Sequence, residues 1–404
     1  MQEKRNNLTL YIKLLVFCFL CLVVLITIPF SKFFESKLNK VNIENYIDFD
    51  YILDKDCSVS VLDVGCADCI ALKLPDGKKA LFDFGVDTNK KVSNLYKQQS
   101  INYLKNLFKK EEEKVFDFVV LTHPDADHYN NFELLFDEFQ INKVYRPAVF
   151  YSDVSHPQET DEELTRAKEA EFLSEDKQDF GDEIRTISTD LYRQFLNKIY
   201  AEPNCEYVYT FVKSGFLTIT SSDENKPYTI TFYSPYKLKY SNNNSFSVVA
   251  ILEYNNHRVC LTGDATEEVE GYLCRNIDLK NVDLLKVGHH GSNSSSTQEF
   301  LNKLKPKYAF ISVKTDTNNY KLPRSEVLQR LEICGTETKN IFQTQNCDNL
   351  VFAIDDNGVY VSATGDIVPQ KFKWWHICLC VIILGGIVIL IIKPIKNVKF
   401  KENR

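Results

Sequence analysis

The spacing of apolar and polar residues between about positions 57 and 363 predicts a domain rich in strands, with helices between them. Single strands are predicted at 57–65, 115–123, 141–150, 207–212, 216–221, 228–233, 282–288 and 308–313. Hairpins are predicted at 69–85, 245–264 and 350–363, and amphipathic helices at 93–113, 131–139, 267–276 and 324–332. Because these elements recur in two similar halves, the pattern predicts an α/β (αββα) sandwich: two mixed sheets pack together and helices cover the outside.

Residues 152–202 interrupt this pattern with a charged segment of helical spacing that has a break near Gly181. Two interpretations are open for this segment. It is either a solvated helical insertion, or a lid or substrate-selecting element above a functional site.

Both ends of the chain carry apolar runs, at 8–30 and 374–392, that are long enough to span a bilayer. A cleaved signal peptide is the alternative for the first run, although no small-residue cleavage pattern follows it. Five Lys or Arg residues follow the second run, which places the C-terminal tail in the cytoplasm. The sequence therefore predicts a two-pass plasma-membrane protein with an extracytoplasmic main domain. Its predicted parts are an N-terminal tail and span (1–37), the main domain (38–370) and a second span with a basic tail (371–404).

Charge is unevenly distributed along the chain. The net charge is −7, and residues 1–37 and 371–404 carry +3 and +6, which leaves −16 for residues 38–370. Such an acidic domain is a poor electrostatic partner for long nucleic acid, because affinity for nucleic acid comes largely from Lys and Arg on phosphates. Any contact with DNA is therefore expected to be short and local.

Eight of the twelve cysteines lie between the two predicted spans. They could pair in an external domain or remain buried thiols in an internal one. Cys66 and Cys69 form a C-x-x-C, but the motif lies on an alternating strand rather than at a helix start. It is therefore expected to pack in the core and not to have a redox function.

Residues that carry chemistry collect at three predicted strand ends, with the sequences THPDADH, LTGD and GHHGS. Each sequence alone is explained by an ordinary polar turn, but loops at one edge of a sheet sandwich converge in space. Acids and histidines this close repel and desolvate each other unless a positive charge lies among them. Since imidazole and carboxylate groups suit Zn, Mn or Fe, the pattern predicts a metal site, with enough ligands for two ions. The candidate ligands are His123, Asp125, Asp127, His128, Asp264, His289 and His290.

The order H-x-D-x-D-H, then T-G-D, then H-H-G-S resembles the metallo-β-lactamase fold, and most closely the β-lactamase-like domain of the competence protein ComEC. Further segments carry the same resemblance, namely VLDVGCADCIAL, LFDFG, NSFSVVAILEYNNHRVCLTGD and VDLLKVGHHGSNSSST. The resemblance extends over about residues 59–361. It implies a metallo-β-lactamase sandwich, here flanked by the two predicted transmembrane helices.

The resemblance implies a dinuclear centre of two divalent ions, Zn or Mn. His123 and Asp125 would hold one ion, Asp127 and His128 would hold the second, and Asp264 would bridge both. The Asp125 carboxylate in place of an imidazole would harden the site, which favours Mn or a tightly held Zn pair.

The remaining roles follow from the same resemblance. One of His289 and His290 would complete a metal site, and the other would contact a phosphate or protonate the leaving group. His289 is taken as the ligand, and His290 is taken as catalytic together with Asp127 and Asp264. Residues expected in the outer metal shell or the substrate rim are Asp63, Asp68, Asn244 and Lys286.

Three positions depart from the family pattern. Cys66-Ala67 replaces a Gln-Gly pair, Asn130-Asn131 replaces a Gly pair, and Leu322 replaces a late histidine. Asn residues can still adopt left-handed turns. These departures bear on the substrate more than on the metal ions.

The resemblance implies a membrane-anchored, metal-dependent hydrolase, with a phosphodiester such as DNA as substrate. A membrane-protein partner would supply the channel that two spans cannot form. One alternative is a cell-envelope phosphodiesterase, acting on a choline-phosphate or teichoic-acid linkage. Others are a non-catalytic membrane subunit or sensor that keeps the fold, and an anchored effector that acts on nucleotides inside the cell.

Overall fold

The computed structural model describes residues 54–109, 111–151, 185–211, 216–315 and 320–364. Within them the alternating segments form two large mixed sheets, as predicted. The eight strands of the first sheet are, in spatial order, β10 (Glu206–Tyr209), β7 (Lys143–Arg146), β5 (Phe118–Val120), β3 (Lys79–Phe84), β2 (Cys69–Lys73), β1 (Cys57–Val61), β18 (Leu350–Asp355) and β19 (Gly358–Ala363). The seven strands of the second are β11 (Leu217–Thr220), β12 (Tyr228–Phe232), β13 (Ala250–Tyr254), β14 (His257–Leu261), β15 (Leu284–Lys286), β16 (Tyr308–Ile311) and β17 (Ile341–Gln343).

Each large sheet joins an antiparallel half to a parallel half. In the first sheet, β3, β2, β1, β18 and β19 pair antiparallel, whereas β3, β5, β7 and β10 pair parallel. In the second, β11 to β14 are antiparallel and β14 to β17 are parallel. Two short parallel pairs stand apart, β4 (Val115–Phe116) with β6 (Gln140–Ile141), and β8 (Val149–Tyr151) with β9 (Arg185–Ile187). The carboxyl ends of the parallel strands therefore gather at one edge of the sandwich.

The core between the sheets is built from alternate residues of the central strands. Phe82 of β3 and Phe232 of β12 meet edge to face, with ring centroids 6.3 Å apart. Phe310 of β16 and Phe352 of β18 lie 5.7 Å apart. Because side chains alternate along a strand, neighbours such as Leu81 point to the opposite face of the sheet, where they join the apolar residues of the helices.

All but the last of the helices bury one apolar stripe in that outer layer, and the last places Cys347 in the core between the sheets. They are α1 (Ser93–Asn106), α2 (Phe132–Glu138), α3 (Asp190–Ala201), α4 (Glu267–Asn276), α5 (Gln298–Leu304), α6 (Ser325–Ile333) and the single turn α7 (Thr344–Cys347). The sequence pattern missed α5, α7 and β17, which are all short.

The described part of the expected insertion at 152–202 begins at residue 185. Residues 185–187 form β9 rather than a helix, and α3 is part of the core rather than a solvated segment. The ring of Phe195 in α3 packs 5.8 Å from that of Phe84 in β3. The buried residues of α3 fall at the spacing of an amphipathic helix, which the high charge of the preceding segment obscured. They are Tyr192, Phe195, Leu196, Ile199 and Tyr200.

The two predicted membrane spans, residues 152–184 and residues 316–319 lie outside the described residues. In the described part of the chain, no helix combines the length and apolar character that a bilayer crossing requires. The cysteines in the described ranges are all free thiols, including Cys66 and the buried Cys69 of the C-x-x-C.

Candidate metal centre

The three strand ends singled out in the sequence meet at the edge where the parallel strands end. His123 lies three residues after β5, Asp264 lies three residues after β14, and His289 and His290 follow β15. Ala126–His128 is a short 3-10 helix, and Gly288–Gly291 is a tight turn in which both histidines have left-handed backbone angles; each brings successive polar residues to the same place. The fold therefore gathers residues that are up to 167 positions apart in the chain.

Asp264 lies at the middle of the gathered residues. Its Oδ2 atom is 3.4 Å from Nε2 of His128, 3.6 Å from Nε2 of His290 and 3.8 Å from Nε2 of His289. Nε2 of His290 is also 3.4 Å from Oδ2 of Asp127. This central position is the one expected of a carboxylate that is shared between metal sites.

Four buried residues each bring one ligand atom to within 4.8 Å of the others: Asp68, His128, Asp264 and His290. The ring of His123 joins them, with its centroid 4.0 Å from that of His128. Asp68 was expected only in the outer shell, and the structure places it among the inner groups. The structure also places His290, rather than His289, in this inner group.

Asp83 orients the histidines of the first loop. Its Oδ2 lies 2.7 Å from Nδ1 of His128, and it accepts a hydrogen bond of 2.7 Å from the Thr122 hydroxyl. Since that hydroxyl donates to Asp83, it accepts from Nδ1 of His123, at 3.2 Å. In their neutral form both imidazoles therefore carry the proton on Nδ1 and present the lone pair of Nε2 to the centre.

His290 is oriented in the same sense by a different group. Its Nδ1 lies 2.8 Å from the main-chain carbonyl oxygen of Ser312, just after β16. A carbonyl only accepts hydrogen bonds, so Nδ1 must carry a proton, and the Nε2 of a neutral His290 has a free lone pair.

These nitrogen atoms fit a metal ion better than they fit a protein partner. The Nε2 atoms of His123, His128 and His290, and Oδ1 of Asp264, are buried and make no hydrogen bond with any described residue. Buried polar atoms without a partner are costly and rare. Imidazole nitrogens and carboxylate oxygens oriented in this way match the ligands of Zn and related divalent ions.

Electrostatics at the centre favour a bound cation. Burial opposes the charge on Asp127 and Asp264, but the neighbouring His128 and His290 lower the pKa of Asp127 to about 2 and hold the pKa of Asp264 well below its usual range. The same attraction outweighs burial at the histidines, and raises the pKa of His290 to about 8 and that of His128 well above 6.5. Without an ion, protons supply the positive charge that the carboxylates attract, and a metal ion replaces them when it binds.

Lys286, the last residue of β15, lies beneath the centre with 1% of its surface exposed. Its Nζ is 2.8 Å from Oδ2 of Asp68 and 3.6 Å from Oδ1 of Asp264, and it donates to the carbonyl of Gly263 at 2.8 Å. Burial alone would lower the pKa of Lys286, but Asp68 and Asp264 raise it. The ammonium group therefore neutralises part of the carboxylate charge and fixes both acids in place.

Asp125 and His289 lie at the more open side of the centre. The Asp125 side chain is 37% exposed; its Oδ1 accepts a hydrogen bond of 3.0 Å from Asn243, and its Oδ2 lies 3.7 Å from Nε2 of His123. The His289 side chain is 29% exposed and contacts Nδ2 of Asn244 at 3.3 Å. Burial lowers the pKa of His289, which therefore remains neutral near pH 7.

Two further predicted positions lie around the rim. Asp63 pairs with Lys314 at 3.7 Å and accepts a hydrogen bond from the backbone N–H of Gly65. Leu322, at the position of the family histidine, is buried. Neither of these side chains contributes a ligand atom to the buried cluster.

The residues that orient the ligands could not be identified from the sequence pattern. Asp83 and Gly85 lie in LFDFG, a segment that was noticed for its resemblance but not assigned to the site. A Cβ atom on Gly85 would lie 1.6 Å from the carbonyl oxygen of Asp127, so only glycine allows the ligand turn to pack there. Asn243 and Ser312 gave no signal, because one is a loop amide and the other acts through its backbone.

The chain resembles two ComEC-like proteins in part. It is 29% identical over 219 residues to ComE operon protein 3 of Bacillus subtilis, which covers 54% of this chain and 22% of that protein. It is 36% identical over 107 residues to Recombination protein 2 of Haemophilus influenzae, which covers 26% of this chain and 13% of that protein. The chain thus spans less than a quarter of the length of either relative. No family model matches it.

Two solved structures are similar over most of the described domain. The metallo-β-lactamase fold protein YhfI from Bacillus subtilis is 12% identical, with a TM-score of 0.39, over 71% of this chain and 95% of that one. Zn(2+)-bound PqqB from Methylobacterium extorquens is 10% identical, with a TM-score of 0.38, over 71% of this chain and 87% of that one.

The ComEC-like resemblance is confirmed by these relatives. The two mixed sheets and the outer helices agree with a metallo-β-lactamase-like fold. The buried cluster of histidines and carboxylates supports the binding of divalent ions.

Proposed function

We propose that this chain is a membrane-anchored hydrolase that cleaves phosphodiester bonds with two divalent metal ions. The observation that carries the proposal is the set of bare, buried Nε2 atoms of His123, His128 and His290, gathered beside the carboxylates of Asp127 and Asp264. Bound ions would supply an activated water molecule and a Lewis acid for the phosphoryl oxygens.

Within this proposal His290 is a metal ligand and His289 contacts the substrate, the reverse of the assignment made from the sequence. His290 is buried and its Nε2 is bare, whereas His289 is partly exposed beside Asp264. A neutral imidazole at that position can form a hydrogen bond to an oxygen of the reacting phosphate. Asn244 and Ser294 hold its ring from two sides.

Several finer features belong to the same proposal. The ions are Zn or Mn, since a site rich in carboxylates favours Mn or a tightly held Zn pair. The apolar runs at 8–30 and 374–392 would anchor the domain outside the cytoplasm, where a membrane-protein partner would act with it. DNA is the first substrate to test, because the resemblance to ComEC-like proteins implies it. The net charge of −16 on residues 38–370 limits the contact with DNA to a short, local one, and a cell-envelope phosphodiester is the alternative substrate.

The test joins metal content with hydrolysis. The full-length chain is purified, its bound metal is counted, and hydrolysis of bis-p-nitrophenyl phosphate and single-stranded DNA is followed with Zn or Mn. We expect about two ions per chain, with hydrolysis lost in the Asp127→Ala/His128→Ala variant. The matched control is Asp283→Ala/His257→Ala, an Asp–His pair outside the centre, whose atoms Oδ2 and Nδ1 lie 3.2 Å apart.

Two results would contradict the proposal. Absence of bound metal together with absence of hydrolysis would reject the enzyme. Bound metal without hydrolysis of any diester would favour the non-catalytic sensor that keeps the fold.

A further inference from the structure

We infer that Arg185 binds a non-bridging oxygen of the substrate phosphate at the open side of the metal centre. The inference rests on the proposed function and makes it more specific, because a guanidinium at this position selects an anionic phosphodiester over a neutral ester. Arg185 is the first residue of β9 and lies in the described part of the chain.

Two hydrogen bonds link Arg185 to the candidate ligands. Its Nη2 donates to Oδ1 of Asn243 at 3.3 Å, and Nδ2 of the same Asn243 donates to Oδ1 of Asp125 at 3.0 Å. Oδ2 of Asp125 then lies 3.7 Å from the bare Nε2 of His123. The guanidinium is therefore held beside the centre, one amide side chain away from a ligand.

The positive charge of Arg185 has no counterion among the described residues. No carboxylate of the described residues lies within ion-pair distance of it, and its buried Nε makes no hydrogen bond with them. Leaving a partly buried cation and an N–H donor unsatisfied is costly. An anion that enters from the open side would supply both the charge and the acceptor atoms.

Two other cations of the described residues near the centre are already paired. Lys286 is buried against Asp68, with 2.8 Å between Nζ and Oδ2. Lys314 lies 3.7 Å from Oδ2 of Asp63. Arg185 also has the more suitable chemistry, because the planar fork of a guanidinium matches two phosphate oxygens at once.

A purely structural role makes a different prediction. If Arg185 acted only by holding Asn243 against Asp125, its loss would weaken metal binding. If it contacts the phosphate, its loss weakens phosphate binding and leaves the metal content unchanged. The two roles are therefore separated by measuring metal and phosphate on the same variant.

The experiment uses the full-length, metal-loaded chain and inorganic phosphate as the probe, with binding measured by calorimetry. We expect Arg185→Gln to raise the Kd for phosphate about tenfold at wild-type metal content, as the loss of one charge-assisted hydrogen bond predicts. With bis-p-nitrophenyl phosphate, we expect a KM about tenfold higher and a kcat within about twofold of the wild type.

The matched control is Arg193→Gln, which removes the same charge from the neighbouring α3. The Arg193 guanidinium pairs with the exposed Asp190, with 2.6 Å between Nη2 and Oδ1. We expect phosphate binding within about twofold of the wild type in this variant, since the pair lies on an exposed surface. Arg185→Lys keeps the charge but lacks the planar fork, and it is less disruptive to folding. We expect its Kd for phosphate to lie between those of Arg185→Gln and the wild type.

Several outcomes would overturn the inference. These are unchanged phosphate affinity in both Arg185 variants, equal weakening by Arg185→Gln and Arg193→Gln, or loss of metal together with phosphate. The proposed function fails separately: if the wild type hydrolyses no diester but binds phosphate through Arg185, the binding site stands and the phosphodiesterase does not.

Discussion

The two loops that supply the histidines of the centre are supported in different ways. In the loop after β5, His128 bonds to the carboxylate of Asp83 directly, and His123 reaches it through the Thr122 hydroxyl. In the loop after β15, His290 bonds to the backbone carbonyl of Ser312, and His289 bonds to the Ser294 hydroxyl. The first loop is oriented by a charge and the second by neutral groups.

This difference separates two tasks. A carboxylate behind an imidazole increases its basicity and fixes its tautomer, which favours tight metal binding. A hydroxyl behind His289 adds no charge, and burial lowers the pKa of that ring, so it stays neutral at working pH. The first loop is thus suited to holding ions, and the second holds one ligand and leaves one imidazole for the substrate.

A buried carboxylate also supports the second loop, but it bonds to the backbone and not to an imidazole. Glu270 of α4 accepts hydrogen bonds from the N–H groups of Ser296 and Thr297, at 2.6 and 2.8 Å. The loop needs this support because His289 and His290 both have left-handed backbone angles, with φ of 49° and 51°. Such angles cost energy for residues other than glycine, and the surrounding bonds maintain them.

Removing the Asp83 charge that orients the first loop has the largest expected effect, which is on metal affinity. In Asp83→Asn, an amide N–H facing Nδ1 of His128 would favour the tautomer that places the proton on Nε2, and this blocks the ligand atom. We expect metal affinity to fall about 10- to 100-fold, measured by competition with a chelator. Hydrolysis would fall at limiting metal and recover in part when metal is added.

Asp87→Asn provides the matched control for that change. Asp87 is also a buried carboxylate near the centre, but it accepts hydrogen bonds from the backbone N–H groups of Cys66 and Asn89 rather than from an imidazole. We expect its metal affinity to stay within about threefold of the wild type. Equal losses in Asp83→Asn and Asp87→Asn would show that charge near the centre matters, and not the imidazole contact.

An intermediate effect is expected from pH on the stability of the fold, and the direction of this effect depends on whether metal is bound. The neighbouring carboxylates outweigh burial and raise the pKa of His290 from 6.5 to about 8 in the ion-free protein. Its proton therefore stabilises the ion-free fold fully below pH 6.5, by about 2 kcal/mol, and this contribution is lost as pH rises through 8. Metal binding requires the neutral ring, so metal-dependent stabilisation grows over the same range.

Thermal unfolding between pH 6 and 9, with and without a chelator, measures how the stabilities of the metal-loaded and the ion-free protein change with pH. We expect His290→Gln to flatten the ion-free pH dependence and to reduce metal stabilisation. His257→Gln is the control, since His257 lies outside the centre and pairs with Asp283. Parallel pH curves for metal-free and metal-loaded wild type would contradict the assignment of His290 as a ligand.

The sequence pattern predicted the sandwich because alternation and turn residues report directly which face of a strand is buried. It also predicted which strand ends carry ligands, since THPDADH, LTGD and GHHGS follow apolar strands. It could not assign Asp83, because this carboxylate sits within a strand whose every residue is buried, where a motif of one acid has no distinctive spacing. It could not rank His289 against His290, because their orientation depends on the Ser312 carbonyl, which any residue provides.

The charged segment before α3 shows a second limit. The high density of charged residues in 152–202 predicted a helical insertion, either solvated or acting as a lid, and α3 lies within those bounds. The apolar spacing from Tyr192 to Tyr200 indicates a buried face when it is considered alone. Composition averaged over a long window therefore concealed a core helix that periodicity in a short window reveals.

The smallest expected effect comes from the neutral support of the second loop. Ser294→Ala removes the hydroxyl that lies 2.8 Å from Nδ1 of His289 and leaves the ring held by Asn244. A neutral hydrogen bond contributes about 1 kcal/mol, so we expect kcat for bis-p-nitrophenyl phosphate to fall about fivefold at unchanged metal content. Ser325→Ala, an exposed serine at the start of α6, is the control and should leave kcat unchanged. A loss of metal in Ser294→Ala would instead make His289 a ligand, and the two loops would then differ in their support but not in their task.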